Sequence, residues 1–178
     1  MSLVIEDGSG LSTATSYVTV AEARAYALAR GVTLAAAGDT GDATIEVWLI
    51  KAEDYLETLN AGWSGFRTWP PVLGQQDHEQ RLSWPRSGAI MFGYGINNNV
   101  IPQQVKDAQC QLCIEQYNGI NIMPSGTGAA IKRQKVDVLE TEYATAYTSA
   151  PQPNMPKVDA LLKPLLTAGY ASNYIFRS

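Results

Sequence analysis

The strongest constraint on the fold is an interruption. Apolar residues recur at helical spacing through residues 19–30, 43–60 and 102–117, but over residues 61–100 neither the helical nor the strand period persists. Gly, Pro, Asn and aromatic residues crowd that interval. It reads as a long structured loop with short strands near residues 80–84 and 89–92. A loop of this length inside a compact domain is uncommon and often functional. No internal repeat appears.

The helical segments carry their own start and stop signals. Thr19 is placed to cap the first, with Glu22 three residues on as in a capping box, and Gly31 ends it. Asp42 precedes the second, where Ile45, Trp48, Leu49, Ala52, Tyr55, Leu56 and Leu59 make one apolar stripe. Glu46, Glu53, Asp54 and Glu57 fall largely off that stripe and read as a solvated face. Pro102 opens the third helix, Val105, Ala108 and Leu112 face the core, and Gly119 ends it.

Outside these helices, residues 1–16 read as an extended arm and 120–130 as a flexible link. Residues 131–143 favour a strand or hairpin arm, basic at its start and acidic at its end, and 144–156 form a polar linker. A short helix fits 157–168, with Pro164 expected to kink or shorten it. The expected class is mainly α: a small helical bundle of three main helices plus a short C-terminal helix, with a long structured loop or short-strand region and extended arms. Residues 1–130 form the helical domain, and 131–178 the arm, linker and terminal helix.

Charge and motif chemistry exclude several function classes. Of the 178 residues 46% are hydrophobic, enough for a real core. The net charge is −4, distributed as −6 over residues 1–60, zero over 61–130 and +2 over 131–178. A general DNA-coating protein carries the opposite balance. Cys110 and Cys113 are spaced C-x-x-C but lie about two turns inside a helix, away from the N-terminus where a redox pair gains its low thiol pKa. A structural zinc site needs about four ligands; there is no second pair, and the sole histidine, His78, sits in a polar run. No nucleophile elbow or phosphate loop is present, and the glycine pairs at 93–95 and 126–128 read as turns. No catalytic residue, metal or cofactor is expected. The start lacks a basic region followed by an apolar run, and no stretch approaches a membrane span, so the expectation is a protein that folds in a reducing cytoplasm.

The most informative composition lies between residues 63 and 94. Trp63, Phe66, Trp69, Trp84, Phe92 and Tyr94 are interleaved with Arg67, Arg81 and Arg86. Such a mixture pins a loop region to a helical core or anchors a protein interface. It also suits base stacking on single-stranded DNA. On that alternative the binding residues are Trp63, Arg67, Trp84 and Arg86, helped by Lys132, Arg133 and Lys135. The zero net charge of residues 61–130 favours packing or a protein interface over a phosphate groove.

Several segments, taken in order, carry a family resemblance. They are the run Ser16 to Ala23 with Tyr26 beyond it, Tyr55-Leu56 followed by Gly62-Trp63 and Arg67, and Leu82-Ser83-Trp84-Pro85-Arg86-Ser87-Gly88. Ile101-Pro102 with Val105, Lys106, Ala108 and Gln109 follows, then Arg133 to Val136, then the helix from Val158 to Leu166. Together they resemble the head–tail connector (adaptor) proteins of tailed phages, in particular a subgroup labelled DnaT-like single-stranded-DNA-binding.

The resemblance implies a structural virion protein at the head–tail interface, made in the host bacterial cytoplasm. It implies a homo-oligomeric ring, usually a dodecamer, bound to the portal protein. Such a ring extends the DNA channel, lets double-stranded DNA pass without sequence-specific binding, and attaches a tail or neck completion protein; no membrane is involved. By analogy the C-terminal segment, with Val158, Leu161, Leu162 and Leu165, docks on the portal. A short amphipathic helix after a polar linker needs some partner surface, either there or on its own bundle. Trp84, Pro85 and Arg86 then hold the loop to the bundle or touch a neighbouring subunit. The alternative function is a DnaT-like single-stranded-DNA-binding replication accessory protein.

Overall fold

Thr19 starts the first helix as its sequence predicts. In the computed structural model, which describes residues 3–34, 39–68, 80–124, 133–136, 139–142 and 153–167, α1 spans Val20–Leu28. The Thr19 hydroxyl accepts the Glu22 N–H at 3.2 Å, and the Glu22 carboxylate accepts the Thr19 N–H at 2.7 Å. This reciprocal pair satisfies donors that a helix start otherwise leaves orphaned. Gly31, at φ 76°, turns the chain away behind it.

Helix α2 spans Asp39–Glu57 and α3 spans Gln103–Tyr117; they pack together, with α1 against both. Ile45, Leu49, Ala52, Tyr55 and Leu56 of α2 meet Val105, Ala108, Leu112 and Cys113 of α3 in one core. A fully buried amide ties the layers. Gln109 of α3 donates to the Leu49 carbonyl of α2 and to the Ser16 hydroxyl, both at 3.0 Å, and accepts the Tyr17 N–H at 2.9 Å. A buried amide so fully paired fixes the relative placement of its neighbours. The N-terminal segment is therefore not a free arm in its described part. The Glu6 carboxylate also folds it back, accepting the N–H groups of Gly8, Gly10 and Leu11 at 2.8–2.9 Å.

The fold class departs from the mainly α expectation. Among the described residues there are four α-helices and three antiparallel strand pairs, so the class is mixed α/β and not a three-helix bundle. Strand β1 (Phe66–Arg67) pairs with β2 (Arg86–Ser87), β3 (Ile90–Met91) with β4 (Tyr94–Gly95), and β5 (Arg133–Val136) with β6 (Leu139–Glu142). The first four are two residues long, too short for a period of two to show in sequence. Turn chemistry makes them instead. Gly65 sits at φ 73°, where a Cβ would stand 2.5 Å from the Ser87 carbonyl oxygen, so β1 and β2 close only with glycine there. The strand expected near 89–92 is β3, but residues 80–84 form no strand.

The C-terminal helix also differs from its expected role. Helix α4 spans Pro156–Leu162 and ends in a 3-10 turn, Lys163–Leu165, that holds Pro164. It packs on α3, and Val158, Leu162 and Leu165 are completely buried in the chain's own core. Burying each such side chain contributes roughly 1.5–3 kcal/mol relative to exposure. Main-chain bonds fasten the turn: the Ser64 N–H donates to the Leu165 carbonyl and the Thr167 N–H to the Gly62 carbonyl, both at 2.9 Å. Residues on either side of position 130 thus share one core.

Candidate functional site

The loop carrying Trp84-Pro85-Arg86 is held by a carboxylate of α2, that of Glu57, which has a second acid, Glu53, one turn away. Glu53 and Glu57 lie four residues apart, one turn apart on a common face in line with Leu49. The Glu57 carboxylate accepts the Arg67 Nη2–H of β1 at 2.6 Å and, through its other oxygen, the backbone N–H of Ser83. Glu53 is 2% exposed. Burial, and then the charge of Glu57, push its carboxyl up to about 9, so it is protonated at neutral pH. The expectation that these acids form a solvated face is wrong for both, since Glu57 is half-buried.

Arg86 is the knot of the loop. It is 5% exposed, and its guanidinium reaches four acceptors: the carbonyls of Ser64 (2.9 Å), Gly65 (2.7 Å) and Ser83 (3.2 Å), and the Asn60 side chain (3.3 Å). Burial, and then the nearby Arg67 charge, lower its pKa. The planar fork of arginine suits several carbonyls at once, which a lysine point charge cannot match. Trp84 is completely buried. Its ring meets Trp63 edge-on at 5.9 Å, and its backbone N–H donates to the Tyr17 hydroxyl at 3.1 Å. Gln80, also fully buried, donates to the carbonyls of Leu82 (2.7 Å) and Pro85 (2.9 Å).

Trp63, Trp84, Pro85 and Arg86 are inside the fold, and Arg67 is paired with Glu57. None of them offers a ring face or a free charge to a nucleotide. Arg133 and Lys135 lie in β5, paired in register with Glu142 and Glu140 of β6. Lys132, Trp69 and His78 lie outside the described residues. Of the four residues expected to dock on a portal, only Leu161 is partly exposed; Val158, Leu162 and Leu165 are core residues.

What the cluster does expose is a second set of aromatics. Phe66, Phe92 and Tyr94 are 77%, 72% and 80% exposed, with Ile90 beside them on the β3–β4 hairpin. Residues 87–105 carry no charged side chain. Such a surface suits an apolar protein partner better than a phosphate backbone.

Cys110 and Cys113 are buried, and burial pushes both thiols up to about 12, which leaves them unreactive at neutral pH. Among the described residues no three side chains are grouped to hold a metal ion, and no helix is long and apolar enough to cross a membrane.

Sequence reasoning missed the buried polar residues Gln80, Gln109 and Ser16. Helical periodicity marks apolar faces and gives no weight to an isolated glutamine on such a face. Glu53 had a readable signal, its four-residue step from Leu49 within the apolar stripe.

A mixed α/β domain, with its Trp-Pro-Arg loop locked inside and an uncharged aromatic hairpin outside, is the class that the fold and site define. The whole chain, residues 1–178, matches a family described as "Putative DnaT-like ssDNA binding protein", and the chain belongs to that family. No curated protein and no solved structure matches it.

Proposed function

We propose that this member of the DnaT-like family is a structural connector subunit of a tailed phage. In this role it joins a homo-oligomeric ring under the portal protein, extends the DNA channel and attaches a tail or neck component. The observation that carries the reading is the inversion of the aromatic cluster. Trp63, Trp84 and Arg86, which could stack bases and grip phosphates, serve the core, while exposed Phe92 and Tyr94 lie on an uncharged hairpin. The ordered motifs that resemble connector proteins support it, as does the net charge of −4, which suits a wall past which double-stranded DNA slides without sequence-specific binding. Docking on the portal through the buried face of α4 is not part of this reading, because those side chains leave the core only if α4 detaches.

A second reading, a single-stranded-DNA-binding replication accessory, is favoured by the family's description, which names such DNA and says nothing of a connector. Phe66, Phe92 and Tyr94 are the rings available to it. Anisotropy of a labelled oligonucleotide, titrated with the chain at two salt concentrations, separates the readings. The connector reading expects no saturable binding at physiological salt. Tight binding that weakens steeply with salt supports the replication accessory and overturns the connector reading.

A further inference from the structure

The β5–β6 ribbon is the element that the core does not account for. Its strands are four residues long, with Arg133 opposite Glu142, Gln134 opposite Thr141, Lys135 opposite Glu140 and Val136 opposite Leu139. Among the described residues no helix and no other strand packs closely against it. A lone two-stranded ribbon is marginally stable at best in water and gains independent stability from a further strand or a helix laid on it. Each strand of such a ribbon also turns alternate backbone N–H and C=O groups away from its partner. That edge is the template on which another strand adds.

The two edges differ in the sign of their charge. The ionisable residues of β5 are both basic, Arg133 and Lys135, and those of β6 are both acidic, Glu140 and Glu142. By the strand period and the register, these four positions share one face of the ribbon. Opposite charges facing each other across a strand pair stabilise it, and like charges destabilise it. A β5 edge laid on another β5 sets base on base, and β6 on β6 sets acid on acid. Both twofold pairings of two ribbons are therefore disfavoured. The β6 edge laid on the β5 of another copy repeats the charge pairing that each ribbon already makes within itself.

We propose that β6 of one copy adds, antiparallel, to the β5 edge of the next copy, so that the ribbons of successive copies form one sheet of alternating basic and acidic strands. The occupant of each edge is a second copy of this chain, selected by charge complementarity. This mode of association takes its affinity from main-chain hydrogen bonds and its specificity from the side chains. The contact joins two different edges, so it runs head to tail, and a head-to-tail contact closes into a ring when its rotation allows. A closed ring of ribbons leaves no strand edge unpaired. The inference deepens the connector reading and rests on it for the ring.

A charge-swapped chain tests the selection: Arg133→Glu, Lys135→Glu, Glu140→Lys and Glu142→Arg together. It keeps the net charge and the opposite-sign pairing within its own ribbon, so its melting temperature is expected to match that of the parent. Its edges meet like charge on the parent's edges. Parent and swapped chains, one of them isotopically labelled, are mixed equally in concentrated solution and on the portal ring of the same genome, and the assemblies are weighed by native mass spectrometry. Association between unlike chains is expected to be at least about tenfold weaker than between like chains, so that each assembly is dominated by one kind. A statistical mixture of the two chains in each assembly overturns the proposal.

Gln134→Cys and Thr141→Cys, as separate variants, test the register; the native cysteines are buried. These positions are opposite within the ribbon, and the same register between copies brings them together. Under mild oxidation, in solution and on the portal, a disulfide-linked dimer confined to the mixture of the two variants is expected. A dimer of either variant with itself, or none in the mixture under either condition, overturns the contact. Binding to the portal without the mixed dimer leaves the connector reading standing and removes this contact. The mixed dimer without portal binding does the reverse.

Discussion

The Tyr17 hydroxyl accepts the backbone N–H of Trp84 at 3.1 Å, across 67 positions of sequence and with both residues buried. This bond joins the N-terminal segment to the Trp-Pro-Arg loop and gives a buried N–H its acceptor. Tyr17→Phe removes the acceptor and keeps the ring. The orphaned donor is expected to cost about 1–3 kcal/mol. The midpoint of urea unfolding should fall with its slope unchanged; an unchanged midpoint would show that the bond contributes nothing.

Arg86→Lys keeps the charge and loses the fork that reaches Ser64, Gly65 and Ser83. A loss on the order of 3 kcal/mol is expected, because hydrogen bonds from a charged donor are strong and their carbonyls are left behind. Chemical denaturation measures it. A variant as stable as the parent but unable to assemble would assign Arg86 to an interface, against its burial.

Glu53 sets a pH dependence. Its folded-state pKa, about 9, is raised from an ordinary 4.5 chiefly by burial and then by Glu57. Its contribution to stability is therefore complete below about pH 4.5 and lost as pH rises through about 9. Glu53→Gln keeps a hydrogen-bond donor toward Glu57 and has no proton to lose. It should unfold at higher urea than the parent at pH 9, with a flatter profile from pH 6 to pH 9. A parallel loss in parent and variant would place the titrating group elsewhere.

Leu162→Ala tests whether α4 belongs to the core. Leu162 is fully buried, and truncating such a residue costs about 2–5 kcal/mol. Leu161→Ser, at a partly exposed position, should cost far less. Equal, small effects would mean that α4 spends much of its time detached and free to dock on a partner.

The bodies of the helices were legible because their signals are local and repeated, although α2 begins at Asp39, so that the expected cap Asp42 falls inside it, and ends at Glu57 and not at residue 60. Thr19 and Glu22 form the capping box that their spacing predicts, and Gly119 ends α3 at φ 84°. The strands were not, because Phe66–Arg67 finds its partner twenty residues away and holds it through Gly65, a long-range event with no period. The importance of the Trp-Pro-Arg loop could be read from composition, but its direction could not. Whether Trp84 and Arg86 face in or out depends on Glu57, Tyr17 and Asn60, each on a different element. The short terminal helix was ambiguous for the same reason, since an apolar stripe states that a partner exists and not which one.

The connector reading is tested most directly by the mass of a purified portal ring, from the same genome, before and after incubation with this chain. A gain of about one chain per portal subunit is predicted, as a closed ring on a ring-shaped template requires. No gain, in a buffer where both partners are folded, would contradict the account and leave the oligonucleotide-binding function as the one the family description supports.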